Sequence, residues 1–259
     1  MKSRRKQPVS PMSQKSSDRL FVAEPLAAGA ELRLDEERSR YVGRVLRLRV
    51  GDEVILFNGL GGEHIAAITE VARRSIALCI GAHRDRDVES PLEVNLVQGI
   101  SRGERMDFVV QKATELGAHR ITPIMTSHSV VRLPDDKSEK RAAHWTKIVQ
   151  SACEQCGRNA VPLVDPPQSF ERWLQNLTMA GNGRVVLHPG AANTFTSLAP
   201  VRERCDLLVG PEGGLSDAEL RQATAAGFVP CSIGPRVLRT ETAAIAALAI
   251  LQSRYGDLG

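Results

Sequence analysis

The sequence lacks any long apolar run. None of its apolar segments approaches the roughly 18 residues of a membrane span, and no apolar segment of a secretion signal follows its basic first residues. We therefore expect a cytoplasmic protein with no membrane partner. With 259 residues, of which 42% are hydrophobic and 25% charged, the chain can form one large globular domain or two modest ones.

Cysteine is scarce and shows no disulfide pattern. The chain has five cysteines at irregular spacings, and an odd number in a chain of this length indicates reduced thiols. Cys153 and Cys156 form a Cys-x-x-Cys pair, but no second such pair or spaced histidine pair follows them, and they lie late in a predicted helix. We therefore expect no metal site and interpret both as structural thiols.

Aromatic residues and excess charge are also scarce. Aromatics make up 4% of the chain, which leaves few rings for the stacking surfaces of single-strand-binding proteins. The formal net charge of +4 arises in residues 1–17, which carry five basic and no acidic side chains. The remaining residues are nearly neutral, so RNA binding by them needs a local basic patch. We expect residues 1–17 to form a disordered basic tail.

Two familiar nucleotide-binding motifs are missing, but two other glycine-containing loops are present. Neither the dinucleotide-binding Gly-x-Gly-x-x-Gly nor the P-loop motif occurs, which disfavours NAD binding and ATP hydrolysis. Residues 208–215 and 233–242 each lie between a short apolar run and a helical pattern, and Pro211 and Pro235 stiffen them. Free backbone amides in such loops can bind adenine edges, carboxylates or phosphates. One loop alone could be an ordinary turn; the pair predicts a ligand site at the carboxyl ends of strands.

The pattern of apolar residues changes near residue 88. Residues 18–88 show short β-rich runs, a predicted helix at 36–46 and a predicted hairpin at 58–62, which indicates a small β-barrel or sandwich. In residues 89–259 strands alternate with longer helices, which predicts an α/β fold with a mostly parallel sheet. The strands predicted there are 92–98, 120–125, 183–188, 205–210 and 228–233; the helices are 105–116, 137–156, one capped by Ser216 and Glu219, and 240–255.

The last predicted helix is apolar nearly all round over residues 243–251. Such a helix is either buried within its own chain or pressed against another subunit. The pattern alone favours neither position.

Several polar clusters permit both a functional and a structural interpretation. Arg102 follows a predicted strand, and Glu154 and Arg158 gather at a helix end, where helix capping or surface ion pairs explain them equally well. Arg19, Arg44 and Arg47 could contact phosphates, although isolated arginines prove little. His188, at a predicted strand end, is a candidate to line the ligand site.

Six segments together resemble the RsmE family, the bacterial 16S ribosomal RNA uridine-N3 methyltransferases of the SPOUT class. The matching segments are 43–47, 101–106, 152–159, 208–215, 234–243 and 254–259, and the resemblance runs from about Arg19 to the C-terminus. It implies a PUA-like RNA-binding β-barrel at 18–88 and a SPOUT domain at 89–259 with a trefoil knot. It also implies a homodimer, S-adenosylmethionine as cofactor, and 16S rRNA within the 30S subunit as substrate.

The resemblance also implies roles for individual residues. The implied cofactor-binding residues are Leu187, His188, Gly210, Pro211, Glu212, Gly213, Ile233, Gly234, Leu238, Arg239 and Thr240. For catalysis we hypothesise that Arg239 stabilises the charge that develops on the uracil, with Glu241 or Glu154 as base or orienting group. The RNA-contact candidates are Arg19, Arg44, Arg47, Arg102 and Arg158.

Two alternative functions remain open from the sequence. One is a SPOUT methyltransferase with another target, either a ribose 2′-oxygen or transfer RNA. The other is a ribosome-assembly factor that binds RNA without catalysis, which would leave the two stiffened loops unexplained.

Overall fold

The computed structural model describes residues 18–129, 135–177, 183–198, 201 and 203–259. They form two compact units. The first comprises the described residues up to Phe57 together with Glu63–Arg84, and the second comprises Asn58–Gly62 and Asp85–Gly259. The predicted boundary after residue 88 falls in the segment that joins the last strand of the first unit to the next strand. The predicted basic tail, 1–17, lies outside the described residues.

The first unit is built on a five-stranded sheet. Its strands are β1 (Arg19–Phe21), β2 (Glu31–Arg33), β3 (Glu53–Phe57), β4 (Glu63–Val71) and β5 (Ile76–Arg84), in the order β1-β3-β4-β5-β2. Among the described strands of this first sheet, β1 and β3 pair in parallel and the other neighbours pair in antiparallel fashion. β3 and β4 pair in antiparallel fashion on either side of residues 58–62, which confirms the predicted hairpin. Alternate apolar residues of the longer strands fill the core, including Val54, Leu56, Ala66, Ile68 and Leu78.

The helix predicted at 36–46 forms with two geometries. α1 (Glu36–Arg40) begins at Asp35, whose carboxylate accepts a hydrogen bond from the Arg38 backbone N–H at 2.8 Å. The chain then widens into a π-helical turn, Tyr41–Val45, in which the Leu46 N–H bonds the Tyr41 carbonyl five residues earlier. Arg47 follows with a φ of +58°, a left-handed conformation that is uncommon outside glycine.

The second unit is built on an eight-stranded sheet, and every strand pairing seen among its described residues is parallel. The prediction of a mostly parallel sheet is therefore confirmed. The strand order is β11-β13-β10-β12-β6-β7-β8, with β9 paired to β7. The strands are β6 (Glu93–Gly99), β7 (Ala118–Met125), β8 (Leu163–Val164), β9 (Gln168–Ser169), β10 (Gly183–Leu187), β11 (Asn193–Thr194), β12 (Arg204–Val209) and β13 (Val229–Ser232).

The α-helices among the described residues of this unit are α2 (Glu104–Glu115), α3 (Asp135–Cys156), α4 (Phe170–Gln175), α5 (Asp217–Ala225) and α6 (Thr240–Tyr255). α5 begins with the predicted capping box. The Ser216 hydroxyl accepts from the Glu219 N–H at 3.3 Å, and the Glu219 carboxylate accepts from the Ser216 N–H at 2.8 Å. Within the described part of the chain, no helix combines the length and apolar character that a membrane crossing requires.

One face of α6 is buried within its own chain. Ala244, Ala247, Leu248 and Leu251 are fully buried, and the helix contacts α2, β6 and β12. A second apolar stripe, made of Ile245, Ala246, Ala249 and Ile250, is only half-buried. The interior of this single chain therefore accounts for one side of the helix and leaves the other partly open.

Arg158 lies in the interior of the second unit, although the sequence suggests it as an RNA contact. Its side chain is 6% exposed and forms an ion pair with Glu89. Its Nη1 also donates to the carbonyl oxygens of Thr114 and Ala118, each at 2.9 Å. With its hydrogen-bonding groups used in this way, the guanidinium joins the start of the second unit to α2, β7 and the end of α3. This geometry argues for a structural role rather than an RNA contact.

We expect Arg158→Met to destabilise the protein by about 3 kcal/mol, because it removes the ion pair with the partly buried Glu89 carboxylate and the hydrogen bonds to two carbonyl groups. Chemical denaturation of the variant and the wild type measures the difference. A variant of unchanged stability that had lost RNA affinity would instead restore the RNA-contact interpretation.

Candidate functional site

One pocket of about 640 Å³ lies at the carboxyl ends of the neighbouring strands β13, β10 and β12. These strands are parallel, so their last residues meet at the same edge of the sheet. The loops that leave them form the walls of the pocket, as is usual for ligand sites in open α/β sheets. The pocket therefore lies where the sequence predicted a ligand site.

Every residue predicted to bind the cofactor lines this pocket. They are Leu187, His188, Gly210, Pro211, Glu212, Gly213, Ile233, Gly234, Leu238, Arg239 and Thr240. The structure adds lining residues to which the sequence assigned no ligand role, among them Arg105, Pro189, Cys231, Ser232, Arg236, Val237 and Ala243. Several of them are direct neighbours of the predicted residues in the sequence.

The first loop, residues 210–215, is fixed by its Glu212 side chain. The carboxylate accepts hydrogen bonds from the Arg102 backbone N–H and from the Arg105 guanidinium, both at 3.1 Å. Burial raises the pKa of Glu212, but the hydrogen bonds from its own N–H, from Arg102 and from Arg105 outweigh burial and bring the pKa below its ordinary value. An ionised carboxylate thus ties the loop to the start of α2.

The same loop is held from its other side by the segment that follows β7. The His128 ring donates from Nδ1 to the Gly213 carbonyl oxygen at 3.0 Å. A Cβ atom on Gly213 would lie 2.9 Å from the His128 Cβ, so only glycine permits this approach. Nearby, the Ser127 N–H donates to the Glu219 carboxylate at 2.7 Å, which joins the same segment to the capping box of α5.

The second loop, residues 233–239, turns at Gly234, which has a φ of +77°. It ends at Arg239, whose backbone carbonyl accepts the first helical hydrogen bond of α6 from the Ala243 N–H at 2.8 Å. The Arg239 side chain is exposed and lines the pocket, and it makes no ion pair with another described residue. It therefore places a positive charge in the lining of the pocket.

Thr240 connects the two loops. It is buried as the first residue of α6, and its hydroxyl donates to the Gly210 carbonyl oxygen at 2.6 Å. The same hydroxyl accepts a hydrogen bond from the Gln98 side chain of β6 at 3.0 Å. Gln98 was not predicted as a site residue; its only signal in the sequence is a polar amide at the end of an apolar strand.

The other two candidates for catalysis do not line the pocket. Glu241 is the second residue of α6, and its Oε2 atom is shielded from solvent with no hydrogen-bond partner among the described residues. Glu154 lies near the end of α3 and is partly buried. Among the described residues, no group of three or more His, Cys, Asp or Glu side chains is arranged to hold a metal ion.

The remaining RNA-contact candidates differ in exposure. In the first unit, Arg44 and Arg47 are exposed on the π-helical turn and just after it. The Arg19 side chain is 10% exposed and forms an ion pair with Glu63 at 2.6 Å. In the second unit, the Arg102 side chain is exposed beside the first loop. Arg44, Arg47 and Arg102 are thus accessible to a polyanion, whereas Arg19 and Arg158 are largely enclosed.

Family models match both parts of the chain. A model described as an RNA methyltransferase domain matches residues 88–252, and one described as an RNA methyltransferase PUA domain matches residues 34–78. The predicted PUA-like character of the N-terminal part is therefore confirmed. The chain is also 35% identical to ribosomal RNA small subunit methyltransferase E of Buchnera aphidicola, over 93% of this chain and 97% of that protein.

Solved structures give the same result. Ribosomal RNA small subunit methyltransferase E of Neisseria gonorrhoeae, bound to S-adenosyl methionine, is 36% identical with a TM-score of 0.87, over 94% of this chain and 100% of its own. A Legionella pneumophila protein in complex with the bound cofactor SAM is 39% identical with a TM-score of 0.89. The match covers 93% of this chain and 99% of that one. The chain therefore belongs to the ribosomal RNA small subunit methyltransferase E family.

Proposed function

We propose that this protein transfers a methyl group from S-adenosylmethionine to N3 of a uridine in 16S ribosomal RNA of the small subunit. The observation that carries the proposal is the pocket at the ends of β10, β12 and β13, which is lined by both predicted cofactor loops. Two relatives that share this fold were solved with that cofactor bound. We further propose a trefoil knot in the 89–259 domain and a cytoplasmic location.

The residues of the pocket suit S-adenosylmethionine. A volume of about 640 Å³ falls within the range of pockets that enclose a ligand of that size. Leu187, Ile233 and Leu238 supply apolar surface for an adenosine, and the glycine-containing loops bring backbone N–H and carbonyl groups to the pocket wall. When bound, the cofactor supplies an electrophilic methyl group on its sulfonium.

The chemical difficulty lies in the nucleophile. Uridine N3 carries a proton, so the base must lose that proton before or during attack, and negative charge then spreads onto O2 and O4. The exposed Arg239 guanidinium in the pocket lining is suited to stabilise this charge. Methyl transfer itself needs mainly alignment, which the two fixed loops provide.

A proton acceptor is the second requirement. Glu241 is two residues beyond Arg239, and its shielded Oε2 atom has no described partner, so it retains capacity to accept a hydrogen bond. Glu154 is the other candidate, as base or as orienting group. Both lie outside the pocket lining, so either would act on RNA brought to the site or through a neighbouring group.

For the RNA itself, we propose contacts from Arg44, Arg47 and Arg102, because these side chains are exposed. Arg44 and Arg47 lie on and beside a π-helical turn, and Arg47 has a left-handed backbone. Such irregular backbone is often found at functional sites. An RNA contact by Arg19 or Arg158 is less well supported, because both side chains are largely buried and form ion pairs.

The overall reaction is tested by incubating the protein with methyl-labelled S-adenosylmethionine and 30S subunits that lack the modification. We expect label in 3-methyluridine after nucleoside analysis. Label on a ribose oxygen, or transfer to transfer RNA alone, would identify a methyltransferase with another target. Bound RNA without any transfer would favour a non-catalytic assembly factor.

We expect Arg239→Ala to lower kcat by about 100-fold, the usual effect of removing one donor that stabilises a developing oxyanion. The Kd for S-adenosylmethionine should change far less than kcat, because the charge that Arg239 is proposed to stabilise develops on the uracil and not on the cofactor. Arg221→Ala, which removes an exposed arginine of α5, serves as the control of unchanged activity. Wild-type turnover by Arg239→Ala would exclude the electrostatic role.

We also propose that the protein is a homodimer in which the half-buried stripe of α6, residues Ile245, Ala246, Ala249 and Ile250, faces the partner. This apolar stripe of alanine and isoleucine lies on a helix that begins at the pocket, and pairing with a second copy would remove it from water. Pairing along α6 would place the partner beside Glu241 and the cofactor loops.

Light scattering of the wild type should give twice the 28.2 kDa mass of one chain. Ala249→Arg should shift the mass toward a single chain, because it places a charge in an apolar contact. Ala225→Arg, on an exposed position of α5, should remain at the dimer mass. A monomeric wild type would contradict the proposal.

A further inference from the structure

Gln98 is a fully buried amide whose acceptor is not satisfied by the described residues. It is 0% exposed near the end of β6, and its Oε1 atom has no hydrogen-bond partner among them. A methionine of similar size would fill the same space without leaving a buried acceptor unmet. Stability alone therefore does not explain a glutamine here, and the explanation must come from the groups that its Nε2 atom contacts.

The Nε2 atom of Gln98 controls the direction of the Thr240 hydroxyl. It donates to Thr240 Oγ1 at 3.0 Å and to the Gly99 carbonyl oxygen at 2.9 Å. A hydroxyl has one hydrogen, and the Gln98 amide occupies one of its lone pairs, so the hydrogen is directed to the Gly210 carbonyl at 2.6 Å. The result is a chain of hydrogen bonds from β6 through α6 to the first loop.

The backbone around this chain has little freedom to move. A Cβ atom on Gly99 would lie 2.5 Å from the Pro211 nitrogen, so the end of β6 presses directly on the first loop. A Cβ atom on Gly210 would lie 3.0 Å from the Gly214 carbonyl carbon, so the loop is also folded tightly on itself. Thr240 directly follows the second loop, so its bond to Gly210 ties that loop to a first loop that is already packed against β6.

We propose that Gln98 is a positioning residue for cofactor binding: through Thr240, it holds the two loops at the separation that S-adenosylmethionine requires. Gln98 itself does not line the pocket, whereas Thr240 and Gly210 do. Its effect is to fix the loops before the cofactor arrives, which lowers the entropy lost on binding. The inference rests on the proposed function, since it takes S-adenosylmethionine as the ligand.

The test compares cofactor affinity with stability in the full-length protein. Isothermal titration with S-adenosylmethionine should show that Gln98→Met raises the Kd about tenfold, as expected for the loss of one hydrogen bond between fixed groups. The Tm without cofactor should fall less than in Gln252→Met, because the substitution removes two hydrogen bonds but also the unmet acceptor. A residue with a merely structural role would lower Tm without raising the Kd.

Three further variants test whether Gln98 affects the Kd through Thr240. Thr240→Val should raise the Kd by a similar factor, and Thr240→Ser, which keeps the hydroxyl, should restore affinity close to the wild type. The double variant Gln98→Met/Thr240→Val should also lose about tenfold rather than the product of both losses, because the two residues act through one chain of hydrogen bonds.

Gln252→Met provides the matched control. Gln252, on α6, is also a fully buried glutamine, but it bonds Ser90 and Gly117, and none of these three residues lines the pocket. This variant should lower Tm and leave the Kd of the folded protein unchanged.

Wild-type affinity in Gln98→Met, or additive losses in the double variant, would overturn the inference while leaving the proposed function intact. A wild type that bound no S-adenosylmethionine would overturn the proposed function, and this inference with it.

Discussion

The site depends on one constraint, the parallel pairing of β10 with both β12 and β13. Parallel strands in one sheet end at the same edge, so Leu187, Val209 and Ser232 meet there although they are far apart in the sequence. Each loop that lines the pocket leaves one of these strands. If the register of either pairing moved by one residue, the loops would leave the sheet at a different height and with their side chains on opposite faces.

Strand pairing brings the loops together, but it does not fix their shape. The glycines that let the two loops turn closely also deprive them of side chains that could stabilise them locally. Their positions are therefore set by groups on other elements. Arg102 and Arg105 hold the Glu212 carboxylate, His128 holds the Gly213 carbonyl, and Thr240 holds the Gly210 carbonyl. The pocket is thus a property of the whole second unit rather than of two loop motifs.

This division explains what the sequence could and could not predict. Hydrophobic periodicity and local caps predicted the longer elements and the capping box of Ser216 and Glu219, because those signals span only a few residues. The two-residue strands β8, β9 and β11 were missed because they are too short to show a period. The partners of the loops were missed for a different reason. The bonds of Arg105 to Glu212 and of Gln98 to Thr240 join residues 107 and 142 positions apart, and no local pattern records such a pair.

Some polar groups that a stable core would avoid lie on or beside the elements that form the pocket. Gln98 keeps a buried acceptor without a described partner, Glu241 does the same at the start of α6, and Glu212 is ionised despite partial burial. An unmet buried acceptor lowers stability relative to an apolar residue that fills the same space. The lowered pKa of Glu212, by contrast, means that its ionised form stabilises the fold at neutral pH. Away from the pocket, buried polar groups such as Gln252 and Arg158 are bonded to several partners and strengthen the fold. Departures from the rules of stable packing mark functional sites when they cluster. Gln98 therefore combines an unmet Oε1 acceptor, which costs stability, with an Nε2 donor that holds Thr240 and, through it, the first loop.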